Sequence, residues 1–210
     1  MKRLVLLTSL VLFSFATSFA QTSNDKKPEF FGGYSFENID SGVKSNDLST
    51  STTLEDRFRA NGFHVAGTGY LTKRFGITGD FSGHFQSRDD LFGTTATTGR
   101  SKLSLFNLTG GPQFRLPNHT KFTPFVQGLA GIARHNFTET ISTTPFNDNT
   151  TNFALNLGGG VDYKLNNRFA WRIAQFDYNP IFLRARTIDT TALPDRTLNG
   201  FRFSTGIVIR

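Results

Sequence analysis

The sequence predicts an all-β fold, an eight-stranded antiparallel up-and-down transmembrane β-barrel, and three observations predict it. Hydrophobicity alternates with period two in eight separate segments, which sends successive side chains to opposite faces of a strand. The links between those segments are short and long by turns, the pattern of strands threaded back and forth through a bilayer. The chain opens on an export signal and then carries no apolar run long enough for a spanning helix.

The signal consists of Lys2 and Arg3, an apolar core from Leu4 to Phe15, and Ser18-Phe19-Ala20 before the polar Gln21. A core of that length falls short of the roughly 20 apolar residues a spanning helix needs, so residues 1–20 read as a signal peptide for the Sec route, cleaved after Ala20. Residues 21–28 form a flexible polar lead-in and residues 29–210 one barrel domain. There is no cysteine, which excludes a disulfide framework, thiol chemistry and lipid attachment through a cysteine. The formal charge of +7 falls to +5 without Lys2 and Arg3 and is spread along the chain. No basic run marks a nucleic-acid partner.

The first segment, Glu29 to Ile39, sets Phe30, Gly32, Tyr34 and Phe36 against Gly33, Ser35 and Glu37. The second, Ala60 to Leu71, sets Phe63, Val65 and Leu71 against His64, Thr68 and Tyr70. The third, Phe75 to Gln86, sets Phe75, Ile77, Phe81 and Phe85 against Thr78, Asp80, Ser82, His84 and Gln86. Ser101 to Leu116 and Lys121 to Phe137 follow, the latter less regular. Phe153 to Leu165 alternates cleanly, with Leu155, Leu157, Val161 and Tyr163 against Asn156, Asp162 and Lys164. The seventh, Arg168 to Leu183, begins with Phe169, Trp171 and Ile173 against Ala170 and Arg172 and loses phase near Gln175, where a β-bulge restores it. The eighth, Leu198 to Arg210, sets Phe201, Phe203, Ile207 and Ile209 against Arg202, Ser204 and Arg210.

Three links are tight: 72–74, 117–120 and 166–167. Four are long and rich in Ser, Thr, Asn and Asp: 40–59, 87–100, 138–152 and 184–197. Tight turns belong to the periplasmic rim and long loops to the outside. Outside contact would therefore fall on the polar loops, whose composition names no ligand.

Alternation alone does not say which face is inward, because a soluble barrel of the lipocalin type encloses its apolar face. The polar face here carries Glu37, Asp80, Asp162, Lys164, Arg115, Arg172 and Arg202, mixed charges suited to a paired interior. The apolar face carries Tyr34, Tyr163 and Trp171, aromatics of the kind that form interfacial girdles. An interior of eight strands is just wide enough for side chains to fill it, so the charge set reads as a structural plug, or alternatively as a gate.

Asp80, Ser82 and His84 form a polar cluster on one strand face, with alternate side chains about 7 Å apart. That spacing is too long for direct hydrogen bonds along the strand, and a polar interior needs such residues to satisfy one another, so an interior network accounts for the three better than a catalytic site does. His64, His119 and His135 show no metal-ligand spacing and receive no role. Gly158-Gly159-Gly160 lies within a strand and lacks the following helix of a phosphate loop. No cofactor or metal motif stands out.

The stretches FFGGYSF (30–36), GITGDFSGHF (76–85), FTPFVQGLAGIAR (122–134), LGGGVDYKLNNRFAWR (157–172) and FRFSTGIVIR (201–210) give the chain its resemblance to a known group. It resembles the small outer-membrane β-barrel family, the eight-stranded barrels related to the membrane domain of OmpA and to OmpX, and the barrel proteins of acidobacterial-type envelopes. The resemblance implies a Gram-negative-type outer membrane, outer-membrane lipid around the barrel, and delivery by the barrel-assembly machinery. Members of the family serve as envelope scaffolds, adhesins, resistance factors or lipid-modifying enzymes. No second domain follows the barrel to bind peptidoglycan, and Arg210 stands where the family usually ends on an aromatic residue.

These readings lead to an expected monomeric, non-catalytic surface protein with a plugged polar interior, four long extracellular loops and a possible extracellular ligand for them. The alternatives are a narrow porin-like pore, and a lipid A hydrolase or acyltransferase using Ser82 and His84.

Overall fold

The structure, a computed structural model, describes residues 28–40, 57–92, 97–116, 120–141, 144–183, 186–188, 191–193 and 195–210. The export signal, the segment 21–27, most of the first long link and His119 lie outside the described residues. Eight strands form the wall: β1 (Glu29–Asp40), β2 (Arg57–Tyr70), β3 (Phe75–Phe92), β4 (Thr97–Arg115), β5 (Phe122–Ile141), β6 (Thr144–Lys164), β7 (Phe169–Leu183) and β10 (Arg196–Ile209). Each pairs antiparallel with its neighbour in sequence, and β1 pairs with β10 from Phe30↔Ile209 to Ile39↔Gly200, which closes the barrel. The link before β10 carries a small separate ribbon of β8 (Arg186–Ile188) and β9 (Thr191–Leu193).

The outside of this barrel is its apolar side. Phe30, Ile77, Leu108, Val126, Phe176 and Ile207 are exposed, whereas Ser35, Glu37, His64, Ser82, His84 and Ser204 are wholly buried. A soluble barrel would reverse this arrangement, so the wall is built to face hydrocarbon.

Two tight turns use one device. In the first, Thr72 Oγ1 accepts from the backbone N–H groups of Arg74 and Phe75 at 3.3 and 2.9 Å. In the last, Asn166 Oδ1 accepts from those of Arg168 and Phe169 at 2.8 Å each. Both side chains stand in for a backbone acceptor and hold a tight reversal.

The outer rim departs from the sequence reading. Residues 87–100 and 138–152 were expected as loops, yet most of them are strand: the β3–β4 ladder continues through Ser87↔Lys102 to Phe92↔Thr97, and the β5–β6 ladder through Thr138↔Asn147 to Ile141↔Thr144. A hairpin clear of the bilayer meets water on both faces and needs no apolar alternation, so its polar composition resembles that of a loop. As a result β3, β4, β5 and β6 run 18, 19, 20 and 21 residues, about twice the roughly 9–11 that a tilted strand needs to cross. β1, β2, β7 and β10 run only 12 to 15. The β2–β3 ladder ends at Asn61↔Phe85 and the β6–β7 ladder at Phe153↔Phe182. Among the described residues, half of the barrel therefore rises above the other half as a four-stranded sheet.

The bulge expected near Gln175 is present in β7. On one side Val161 and Asp162 pair with Ala174 and Arg172; on the other Ser204 and Gly206 pair with Gln175 and Arg172. One extra residue at Ile173 therefore turns Gln175, Asp177 and Asn179 inward with Arg172, and all four are buried.

Candidate functional site in the barrel interior

The interior is built in layers. At the periplasmic end Glu29, at the start of β1, accepts from Arg115 Nη1 at 2.6 Å and from the Tyr70 hydroxyl at 3.0 Å. Gln113 donates to the Tyr70 oxygen at 2.8 Å, and the Arg115 guanidinium lies 3.7 Å over the Tyr70 ring. Arg210 pairs with Glu29 at 2.8 Å and reaches Asp162 at 3.3 Å. Above this, Arg172 donates to Asp162 at 2.8 Å and to Gln175 at 2.7 Å. Its guanidinium is held between the rings of Phe31 and Phe125 at 4.5 and 4.1 Å.

The centre belongs to Arg202. Its Nη1 and Nη2 form a fork on the two Asp80 oxygens at 3.1 and 3.0 Å, and its Nε and Nη2 reach Asp177 Oδ2 at 3.0 and 2.9 Å. Nη1 also donates to Ser82 at 2.9 Å. A guanidinium has five N–H donors, and this set engages them all. Gln175 and Gln127 donate to Asp177 at 2.8 and 3.2 Å, and because Gln175 also accepts from Arg172 the two layers are joined.

A second chain leaves Asp80 through alternating rings and hydroxyls. His64 Nε2 lies 2.6 Å from Asp80, its Nδ1 is 3.1 Å from Ser204, Ser204 is 3.1 Å from Ser35, and Ser35 is 2.9 Å from His84 Nε2. His84 Nδ1 then stands 2.7 Å from Glu37, an ion-pair contact out of line for a hydrogen bond. Asp80, His64 and Ser204, and again Glu37, His84 and Ser35, follow the order of acid, base and nucleophile. The two serine hydroxyls engage each other, and all six residues are at most 1 % exposed, out of reach of a substrate.

Toward the outer end the lining turns apolar. Ile39, Leu105, Ala133, Ala154, Ile181 and Leu198 form one buried cluster, with Phe58 and Leu183 packed against it. These come from β1, β4, β5, β6, β7 and β10 and cap the polar interior with a greasy layer. A purely polar interior was the expectation; alternation hid this layer because an apolar residue on either face reads alike.

Of the residues singled out in sequence, Glu37, Asp80, Asp162, Arg172 and Arg202 meet in the interior, and Arg115 joins them at the periplasmic rim. Lys164 does not join them. It is the last residue of β6 and is exposed beside the turn, where the barrel has ended and no interior remains to receive it. Asp80 and Ser82 share Arg202, while His84 turns to Glu37 and Ser35, so the three meet through partners on other strands. Trp171 and Tyr163 pair across β6 and β7 near the periplasmic turn, with the Phe122 ring 5.1 Å from Tyr163. Tyr34 stands outward midway along β1, its hydroxyl bonded to Asn61, away from the edge of the band. At the other edge are Tyr178 and Phe201, rings 5.3 Å apart, with the Arg57 guanidinium 5.7 Å over Phe201.

Sequence reasoning missed Glu29, His64, Gln175, Asp177 and Arg210. Asp177 and Gln175 were hidden by the bulge, Glu29 lies at a segment end where alternation has too few neighbours to speak, and Arg210, on the polar face by parity, gave no sign of its partners Glu29 and Asp162. His64 had a usable signal, its place opposite Val65 on the polar face. Among the described residues no group of His, Cys, Asp and Glu could hold a metal ion.

The likenesses to known proteins agree with this geometry. The attachment invasion locus protein Ail of Yersinia pestis is 15 % identical, with 86 % of this chain and 97 % of that one covered and a TM-score of 0.53. Neisserial surface protein A is 10 % identical, with 89 % and 97 % covered and a TM-score of 0.53. OprG of Pseudomonas aeruginosa is 14 % identical, with 88 % and 96 % covered and a TM-score of 0.50. At such identities the likeness is one of fold. No curated protein matches the chain. The family described as outer membrane protein beta-barrel domain matches residues 7–193, and with an apolar wall around a charged interior, the chain belongs to that family of outer-membrane proteins.

Proposed function

We propose that this protein is a sealed, non-catalytic barrel whose work is done outside the membrane by the raised sheet of β3 to β6. The observation that carries the reading is the saturation of Arg202 by Asp80, Asp177 and Ser82 beneath the apolar layer of Leu105, Ile181 and Leu198. An open path would have to break buried ion pairs, each break costing about 3–5 kcal/mol, and then wet an apolar constriction. The burial of Ser82 and His84 supports a structural role for both over hydrolase or acyltransferase chemistry.

Strands running far past the bilayer, polar in composition, offer a platform for an extracellular ligand. Closure of β1 on β10 leaves no free edge in the wall below the raised sheet, which supports a monomer in outer-membrane lipid. Export by the Sec route with cleavage after Ala20, then insertion by the barrel-assembly machinery, completes the reading.

The test is complementation of a deletion strain by the full chain and by a variant lacking residues 138–147. The account expects both to insert as heat-modifiable barrels and only the full chain to restore resistance to detergent or surface attachment. Equal complementation by the shortened hairpin would place the function elsewhere.

A further inference from the structure

Just below the apolar layer the interior carries more acceptors than the chain satisfies. Glu37 Oε1 accepts from Asn179 Nδ2 at 3.2 Å and Oε2 from Asn107 Nδ2 at 3.5 Å. An ionised carboxylate only accepts, so both amides must turn their NH2 groups toward it. The orientation of each amide is thereby set, and each Oδ1 is left without a protein partner. Thr109 Oγ1 and Asn156 Oδ1 also lack one. The four residues are 4, 3, 6 and 2 % exposed for Asn107, Asn179, Thr109 and Asn156.

Asn107 and Asn179 meet on Glu37 across the interior, and the register sets the other two beside them. Thr109 follows Asn107 by two on the inward face of β4 and pairs with Gly131, where β5 contributes no side chain. Asn156 and Asn179 lie within the stretch of β6 and β7 bounded by the pairs Ala154↔Ile181 and Leu157↔Tyr178. Buried acceptors gathered around one carboxylate call for a donor or a cation. The nearby charges lean the same way: Asp80 and Asp177 share one guanidinium and Glu37 stands against His84, with His64 the other group able to carry positive charge.

We propose that this layer binds one monovalent alkali cation, held by the side-chain oxygens of Asn107, Thr109, Asn156 and Asn179 beside Glu37. Neutral amide and hydroxyl oxygens replace a hydration shell as the carbonyl rings of selectivity filters do. A single carboxylate, already engaged by two amides, is a poor match for a divalent ion, which takes several charged oxygens. The site does not depend on the raised sheet having the role proposed above.

The test uses the whole mature chain refolded and crystallised in rubidium chloride, with diffraction collected at the rubidium edge. An anomalous peak in contact with the Asn107, Asn156 and Asn179 oxygens is the expected result. Density in that layer without anomalous signal would mean water alone and would overturn the proposal. Without any variant, the unfolding midpoint should be higher in rubidium chloride than in choline chloride at equal ionic strength. The Asn156→Leu barrel, where it folds, should lose that difference; an equal difference in the variant counts against the site.

Discussion

Asp177 reaches the Arg202 guanidinium, 2.9 Å away, because β7 carries one extra residue at Ile173. Had the alternation of Phe169 and Trp171 run on unbroken, Gln175 and Asp177 would face lipid. The bulge turns a carboxylate from the costly side of the wall to the side where a partner waits. Removal of Ile173 restores plain alternation with Arg172, Gln175 and Asp177 still inward, so that deletion should yield a heat-modifiable barrel. Deletion of Phe176 instead turns Asp177 outward and strips Arg202 of a partner, at a cost of about 3–5 kcal/mol, and should abolish folding into lipid vesicles. Gel migration with and without heating separates the two outcomes.

Arg202 is the hub, and its replacements should rank by how many bonds they leave unmade. Arg202→Leu strands Asp80 and Asp177 and should lower stability by about 3–5 kcal/mol. Arg202→Lys keeps the charge but loses the fork and should fall between that variant and the wild type. Adding Asp80→Asn and Asp177→Asn to Arg202→Leu should recover part of the loss, since no unpaired charge then remains. Urea unfolding of vesicle-inserted barrels reads these differences. A triple variant less stable than the single would contradict the pairing described.

Much of this was legible in sequence, and the gaps have physical causes. Period-two alternation located all eight wall strands because every strand has one face on lipid; parity put Glu37, Asp80 and Arg202 on one polar face, and their mixed charges assigned that face to the inside. Asp177, the other acid on Arg202, was not assigned, because the phase lost near Gln175 announces a bulge without saying which residue is added, and so leaves the parity of Asp177 open. The hairpins above the bilayer read as loops because water on both faces erases the pattern. The inner apolar layer was invisible for a related reason: Leu105 and Ile181 look like lipid-facing residues until strand pairing puts them inside.

Gly158 and Gly79 test how tightly the interior is built. A Cβ on Gly158 would collide with the Asp177 carboxylate and with the backbone oxygen of Phe176, whereas one on Gly79 meets nothing within 4 Å. Gly158→Ala should therefore cost about 1–3 kcal/mol, with the outward Gly79→Ala near neutral. Denaturant midpoints of the two variants give the contrast, and equal midpoints would mean the Asp177 side of the interior has room to spare.

Leu105 and Ile181, at 2 and 0 % exposure, are the most buried of the large residues in the outer layer. Truncation of either to Ala should cost about 2–5 kcal/mol. The same substitutions at the outward Leu108 and Ile207 remove side chains already in lipid and should cost less. Parallel unfolding curves for the four variants in one lipid check the ranking.

The most direct measurement is single-channel recording of the refolded chain 21–210 in a planar bilayer, with heat-modifiable migration as proof of a folded barrel. The account predicts insertion without conductance steps, because the saturated Arg202 network and the apolar layer above it close the interior. Reproducible steps from folded wild-type barrels, altered by Arg202→Leu or Arg172→Leu, would contradict it and make the interior a path.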